Sequence, residues 1–216
     1  MTMGIFITFE GIEGSGKTTQ IDLLKEYLLE KNYRVEITRE PGGTSIGKQI
    51  RRILLDNNNK KISGETELLL SLADRVQHLQ EVILPALKED KIVLCDRFSD
   101  STLAYQGYGR KIDLGLIENL HQTVLGEIKP DLTILLDIDI SKGLKRAETR
   151  NLQRKESERE ERFEKEKLEF HQRVRNGYLE LAKKNRERIK IINGKRKRED
   201  IQKEIRGYTE EILREG

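Results

Sequence analysis

One cysteine, three prolines, no tryptophan and 5% aromatic residues leave this 216-residue chain with few of the residues that staple, break or anchor small folds. With Cys95 alone, an intramolecular disulfide is excluded, and its place in the apolar run I92-V-L-C95 predicts a buried, inert thiol. No Pro/Gly/Ser-rich stretch or compositional break interrupts the chain, so residues 1–216 are expected to form a single domain. No stretch approaches 18 consecutive apolar residues, which argues against a membrane span. The start, M1-T-M-G-I-F-I-T-F-E10, lacks the basic segment and cleavage site of a secretory leader, so a soluble, cytoplasmic protein is expected. An excess of one charge is missing too. The 41 basic and 38 acidic residues balance to a formal +3, which speaks against a dedicated nucleic-acid binder. Three histidines, His78, His121 and His171, lack metal-ligand spacing and read as surface or core residues.

What the chain does have is alternation. Apolar runs at Ile5–Glu10, Arg34–Thr38, Lys91–Asp96, Leu132–Asp137 and Ile189–Ile192 are too short for helices and rich in Ile, Val and Leu. They read as five strands buried on both faces. Helical patterns separate them: Lys17–Lys31, Ile46–Leu55, Glu65–Glu89, Leu114–Glu127, Ser141–Thr149, Glu158–Arg186 and Glu199–Arg214. This order predicts an α/β fold of three layers on a parallel sheet, with ligands beyond the carboxyl ends of the strands. Two polar segments break the pattern, Asp56–Lys61 and Asn151–Glu161; the second is either a solvated helix end or a mobile lid.

G11-I-E-G-S-G-K-T-T19 lies between the first strand and the first helix and satisfies the P-loop pattern. In such a loop backbone N–H groups of Gly11, Ile12, Glu13, Gly14, Ser15 and Gly16 turn toward phosphates at a helix N-terminus, together with the start of the helix at Thr18 and Thr19. Lys17 reaches the terminal phosphates, and the Thr18 hydroxyl serves Mg²⁺. The acceptor is left open: water would make the chain a nucleotide switch or NTPase, a small molecule a kinase. A guanine-reading N-K-x-D is absent, since K129-P-D131 and N193-G-K195 do not fit it.

Cations follow the strands: T38-R-E-P-G-G-T44, D96-R97-F98, and A73-D-R75 on the helix between. Arg75 and Arg97, joined by Arg51, are positioned to converge on a second phosphate, which planar guanidinium groups bind bidentately. Asp96 ends an apolar strand and suits a metal-holding acid; Asp137, ending L135-L-D137, competes for that role.

The P-loop, T-R-E-P-G-G-T, A-D-R-V-Q-H, D-R-F-S-D-S-T-L-A-Y-Q-G and E161-R-F-E164, in this order, resemble the bacterial thymidylate kinases, from about Ile5 to the end of the chain. The resemblance implies a P-loop kinase fold with a short lid at about residues 146–164, and a homodimer. The reaction it implies is transfer of the γ-phosphate of Mg·ATP to dTMP, giving ADP and dTDP. Residue by residue, it places Arg97 on the dTMP phosphate, Arg75 near that phosphate and thymine O4, and Thr102 at the thymine N3 edge. Tyr105 falls beside the sugar 2′ position, Gln106 near the nucleotide, and Glu164 near the phosphates and metal. The loop itself carries no arginine, so Arg150 in K145-R-A-E-T-R150 matches the catalytic arginine of the lid, with Arg146 near adenine or phosphate. Glu13 is expected to face dTMP, accepting from its 3′-hydroxyl or holding a metal-bound water. Two departures stand out. Ser71 occupies the position where relatives carry a phenylalanine stacked on thymine, and Glu161 that of a commoner aspartate.

Overall fold

The computed structural model describes residues 4–59, 61–153 and 161–215. Five strands form one all-parallel sheet: β1 (Phe6–Glu10), β2 (Val35–Arg39), β3 (Ile92–Asp96), β4 (Leu132–Asp137) and β5 (Ile189–Asn193), in the order β2-β3-β1-β4-β5. Helices connect them: α1 (Lys17–Glu30), α2 (Ser45–Leu55), α3 (Gly64–His78), α4 (Leu84–Lys88), α5 (Ser99–Thr102), α6 (Leu114–Leu125), α7 (Ile140–Leu152), α8 (Leu168–Lys184) and α9 (Arg198–Glu215).

The two-residue period of the strands sorts the core into layers. Ile7 and Phe9 of β1, Leu94 of β3 and Leu132, Ile134 and Leu136 of β4 face α1 and α9, where Ile21, Leu24, Leu28, Ile201 and Ile205 cover them. On the opposite face Phe6, Val93 and Cys95 meet Leu79, Ile83 and Leu87, while Leu135 and Ile189 meet α8 through Val174, Tyr178 and Leu181. Each of these fully buried aliphatic or aromatic side chains contributes about 1.5–3 kcal/mol relative to exposure. Cys95 is buried as expected, its thiol donating to Arg97 O at 3.0 Å.

Three expectations are corrected. Only β1 is buried throughout, and β3 and β4 are buried up to their half-buried terminal Asp96 and Asp137. β2 and β5 are the sheet edges, and Ile37 and Ile191 are exposed on them. The helix expected over Glu65–Glu89 is broken by a π-helical turn, Leu79–Ile83. Pro85 sits just beyond that turn: its ring has no N–H and collides with the carbonyl four residues back, and a widened turn absorbs both. The helix expected from Glu158 begins only at Leu168, because Glu161–Lys167 turns inward to bury Arg162 and to pack a partly buried Phe163 against the core. Residues 154–160, the middle of the expected lid, lie outside the described residues.

Register brings the strand ends level. Phe9 pairs with Asp96 and Arg39 with Asp96, so the segments after β1, β2 and β3 leave the sheet side by side. β1 is central, with chain connections departing to either side of it, which opens a crevice at its carboxyl end. Among the described residues, no helix is long and apolar enough to cross a membrane.

Candidate active site

The crevice is a cleft of about 620 Å³, a size suited to small-molecule ligands. Its floor is the loop at residues 11–16. Gly14 has φ 68°, and a Cβ there would lie 2.1 Å from Gly143 O, so only glycine lets the loop pass under α7. α1 begins behind Gly16 with no side-chain cap and no acid in its first turn. By contrast α2, α3 and α6 are capped by Thr44, Ser63 and Asp113. The N–H groups at the start of α1 are thus left for an anion. Lys17 Nζ arches over the loop, 3.1 Å from Gly11 O and 3.3 Å from Ile12 O. Burial and the charge of Arg97 lower its pKa to about 8, against the pull of Asp96, Glu13 and Glu10.

Thr18 Oγ1 donates to Asp96 Oδ2 at 3.2 Å. Asp137, the competing acid, is held bidentately by Arg175 at 2.6 and 2.7 Å, which leaves Asp96 as the strand-end acid beside the loop. Asp131 of K129-P-D131 accepts from Phe6 N at 2.7 Å and so braces β1 rather than reading a base.

The far wall is built around Arg97, which follows β3 with φ 75°, a left-handed conformation that costs a branched-Cβ-free but bulky side chain energy and marks a constrained position. Nη1 donates to Ser101 Oγ (3.2 Å) and Tyr178 OH (3.0 Å), and Nη2 to Glu13 Oε1 (3.2 Å) and Tyr105 OH (3.1 Å). The guanidinium also lies 4.9 Å from the Tyr105 ring centre. Glu13 turns to the Arg97 wall of the cleft, where its Oε1 accepts from Arg97 and from the Tyr105 hydroxyl. Burial pushes its carboxyl up, yet Arg97, Tyr105 and Lys17 hold it below the usual range.

Arg75 is buried. Nε binds Glu40 (2.8 Å), Nη1 meets Thr102 Oγ1 and His121 Nε2 (3.0 Å each), and Nη2 donates to Phe98 O (3.0 Å). Four of its five N–H groups are thereby engaged, so it can offer a ligand a single hydrogen bond and not a fork. Burial and Arg75 together push the His121 pKa down to about 3, which keeps that ring neutral. Gln106 donates to Glu67 at 3.2 Å, and Arg51 donates to Pro41 O at 2.9 Å. Ser71 turns back on its own helix, donating to Glu67 O at 2.8 Å, and apolar walls come instead from Leu54, Leu55 and Phe163.

Arg146 and Arg150, four residues apart on α7, lie on the face turned to the loop and line the cleft. Arg150 pairs with Glu164 at 3.2 Å, and Asn151 donates to the same carboxylate. Burial and the charge of Glu13 push Glu164 up to about 7 against Arg150 and Asn151.

Gly14, Ser15, Gly16 and Thr19 join these residues in the cleft lining. Gly11 and Ile12 do not: their carbonyls serve Lys17 and the Ile12 side chain belongs to the core. Several residues at the site escape sequence reasoning. Glu10 accepts from Phe98 N, Ser101 and Tyr178 at 2.6–2.9 Å, and burial with nearby Asp100 raises its pKa to about 7 against Arg97. Tyr178 arrives from α8, 81 residues from Arg97. Arg162 binds Glu67 at 2.6 Å and also donates to Leu54 O. Its motif, E-R-F-E, was the only sequence signal for any of these.

A sequence model of the family described as Thymidylate kinase matches residues 9–205. The chain is 52% identical over 210 residues to a thymidylate kinase of Maridesulfovibrio salexigens, with 97% of each chain covered. It is 57% identical over 192 residues to one of Geotalea daltonii, covering 89% of this chain and 90% of the relative. Among solved structures it is similar to thymidylate kinase from Ehrlichia chaffeensis, with 38% identity, a TM-score of 0.75, and coverage of 96% of this chain and 99% of that one. The parallel sheet, the loop at its centre and these matches together place the chain, with a P-loop kinase fold, in the thymidylate kinase family of phosphotransferases.

Proposed function

We propose that this chain transfers the γ-phosphate of ATP to dTMP, giving ADP and dTDP. The observation that carries the reading is that one cleft joins a phosphate loop, at Lys17, to a wall of Arg97, Arg75, Thr102 and Gln106, with two α7 arginines beside the loop. Donor and acceptor phosphates thus have facing sites.

The acceptor phosphate is largely dianionic at neutral pH, so no general base is needed and catalysis is a matter of positioning and charge. Backbone N–H groups of the loop and Lys17 hold the donor phosphates. Arg97, fixed from four sides, turns the acceptor oxygen toward them, and Arg75 adds one hydrogen bond. Tyr105 stands against the sugar; Thr102 and Gln106 meet the base; Leu54, Leu55 and Phe163 give it apolar surface in place of the missing phenylalanine. Arg150 neutralises charge on the phosphoryl group in flight, and Arg146 serves the adenine side.

Thr18 and Asp96 fit Mg²⁺: both are hard oxygen donors within 3.2 Å of each other, and this ion takes one or two protein oxygens, substrate phosphates and water. Among the described residues no cluster of three acids or histidines exists to make a closed protein cage. When bound, the ion would neutralise phosphate charge. Thr18 and Asp96 would hold it, Asp96 directly or through water, with Glu164 as a further oxygen if Arg150 releases it. The reading includes a single catalytic unit with a lid at about residues 146–164, a cytoplasmic location and a homodimer; exposed Leu69 and Leu116, on the packed helices α3 and α6, support the last.

Phosphorus NMR of the chain with ATP, Mg²⁺ and dTMP tests the reaction. Equal amounts of ADP and dTDP are expected; inorganic phosphate with unchanged dTMP would point to a nucleotide switch instead.

A further inference from the structure

His171 lies on α8, fully buried, one and two turns before Val174 and Tyr178 on the same face. Neither ring nitrogen has a hydrogen bond among the described residues. The second carboxylate oxygen of Glu13, Oε2, is also buried without one, although Oε1 receives both Arg97 and Tyr105. These two orphans face each other: His171 Nδ1 is 4.0 Å from Glu13 Oε2. That is beyond hydrogen-bond length, but about 1 Å of movement closes it. Buried polar groups without partners are costly, and here the donor that one lacks is the group the other holds. The other charged or titratable groups bearing on Glu13 are Arg97, Tyr105 and Lys17, with Glu164 opposing. Of the residues Glu13 engages, Arg97 and Tyr105 are both on its other oxygen.

We propose that His171 is a positioning residue for the acceptor site: with the acceptor bound, Nδ1–H donates to Glu13 Oε2 and fixes the carboxylate that in turn fixes Arg97 and Tyr105. An anionic acceptor phosphate competes with Glu13 for Arg97, and a second anchor keeps the carboxylate from being displaced. Through α8, which follows directly on Glu161–Lys167, the acceptor wall is also tied to the segment carrying Glu164. The inference rests on dTMP as the acceptor.

The test compares wild type, His171→Phe and His171→Asn, each with and without Glu13→Gln, by steady-state kinetics in both substrates and by thermal melting. His171→Phe keeps the ring but removes the donor, and should raise KM for dTMP about tenfold, leaving KM for ATP and kcat within about twofold. Its Tm should not fall, since an unpaired buried nitrogen is removed. His171→Asn, whose amide nitrogen sits near the place of Nδ1, should recover most of the loss. On the Glu13→Gln background His171→Phe should change KM for dTMP by less than about twofold. An unchanged KM for dTMP, equal losses for both substrates, no recovery in His171→Asn, or the full effect without Glu13 would each overturn the proposal. Should His171→Phe not fold, nitrogen NMR of the wild-type ring decides: dTMP should bring a hydrogen-bonded Nδ1–H, and an unaltered ring overturns the idea. A wild type that forms no dTDP would refute the functional reading instead.

Discussion

At the residue scale, Arg97 and Arg75 in the cleft are each held by an acid that is itself held: Glu13 also accepts from Tyr105, and Glu40 also meets His78. Arg97 is fixed by Glu13, Tyr105, Ser101 and Tyr178, and the last two rest on buried Glu10. Arg150 is the contrast, half exposed and, among the described residues, paired with Glu164. A group so placed can follow the transferring phosphoryl, and Arg150→Ala should lower kcat about a hundredfold or more while KM for dTMP changes little; a near-normal kcat would remove it from the chemistry. Glu10 carries a pH consequence. Its pKa is raised from 4.5 to about 7 by burial and Asp100, so the folded chain keeps a proton there that the unfolded chain has lost. The contribution to stability is complete below pH 4.5 and is lost as pH rises through 7. Glu10→Gln cannot ionise; relative to wild type its unfolding free energy should improve by on the order of 1–3 kcal/mol between those limits. Denaturant titrations across that range check it, and a difference independent of pH would contradict it.

At the element scale, the segment Glu161–Lys167 is where sequence and structure part most. Its charge predicts a solvated helix, yet Arg162 reaches across to α3 and α2 and Phe163 joins Tyr105 and Phe170 in an aromatic cluster. Local composition is blind to a partner 95 residues away. Glu67, buried and shared by Arg162, Arg110 and Gln106, is the anchor. Removing one arm of a buried ion pair strands the other charge, so Arg162→Ala should lower stability by about 3 kcal/mol, seen as a lower urea midpoint. A loss under about 0.5 kcal/mol would mean that Arg110 alone suffices. The π-helical stretch Leu103–Gly109, which carries Tyr105 and Gln106 into the cleft, is likewise invisible to periodicity because Gly107 and Gly109 interrupt the helical pattern. By contrast the loop at residues 11–19 is legible, since its chemistry is local: glycines where the backbone must bend, then a lysine and a helix start.

At the scale of the whole molecule, five apolar runs suffice to predict a parallel sheet, and the register that levels Phe9, Arg39 and Asp96 turns strand order into a single cleft. Residues at or just beyond strand ends, such as Asp96 and Arg97, and Lys17 after the loop, were therefore legible as lining the cleft, because the fold class itself assigns strand ends to ligands. Tyr178, His121 and His171 were not, because helices bring them to the site through packing that no short motif records. In the proposed reading Ser71 is the feature that bears most on selectivity, with Leu54, Leu55 and Phe163, which line the same cleft, giving the base its apolar surface. The central claim is that the second half of the cleft is built for dTMP. Coupled ADP release, measured with dTMP, dUMP, dCMP, dGMP, AMP and GMP in turn, tests it most directly. The account predicts that dTMP accelerates ADP formation at least about a hundredfold over water alone and about tenfold over any other monophosphate; a rate unmoved by dTMP, or one faster with a purine monophosphate, would contradict it.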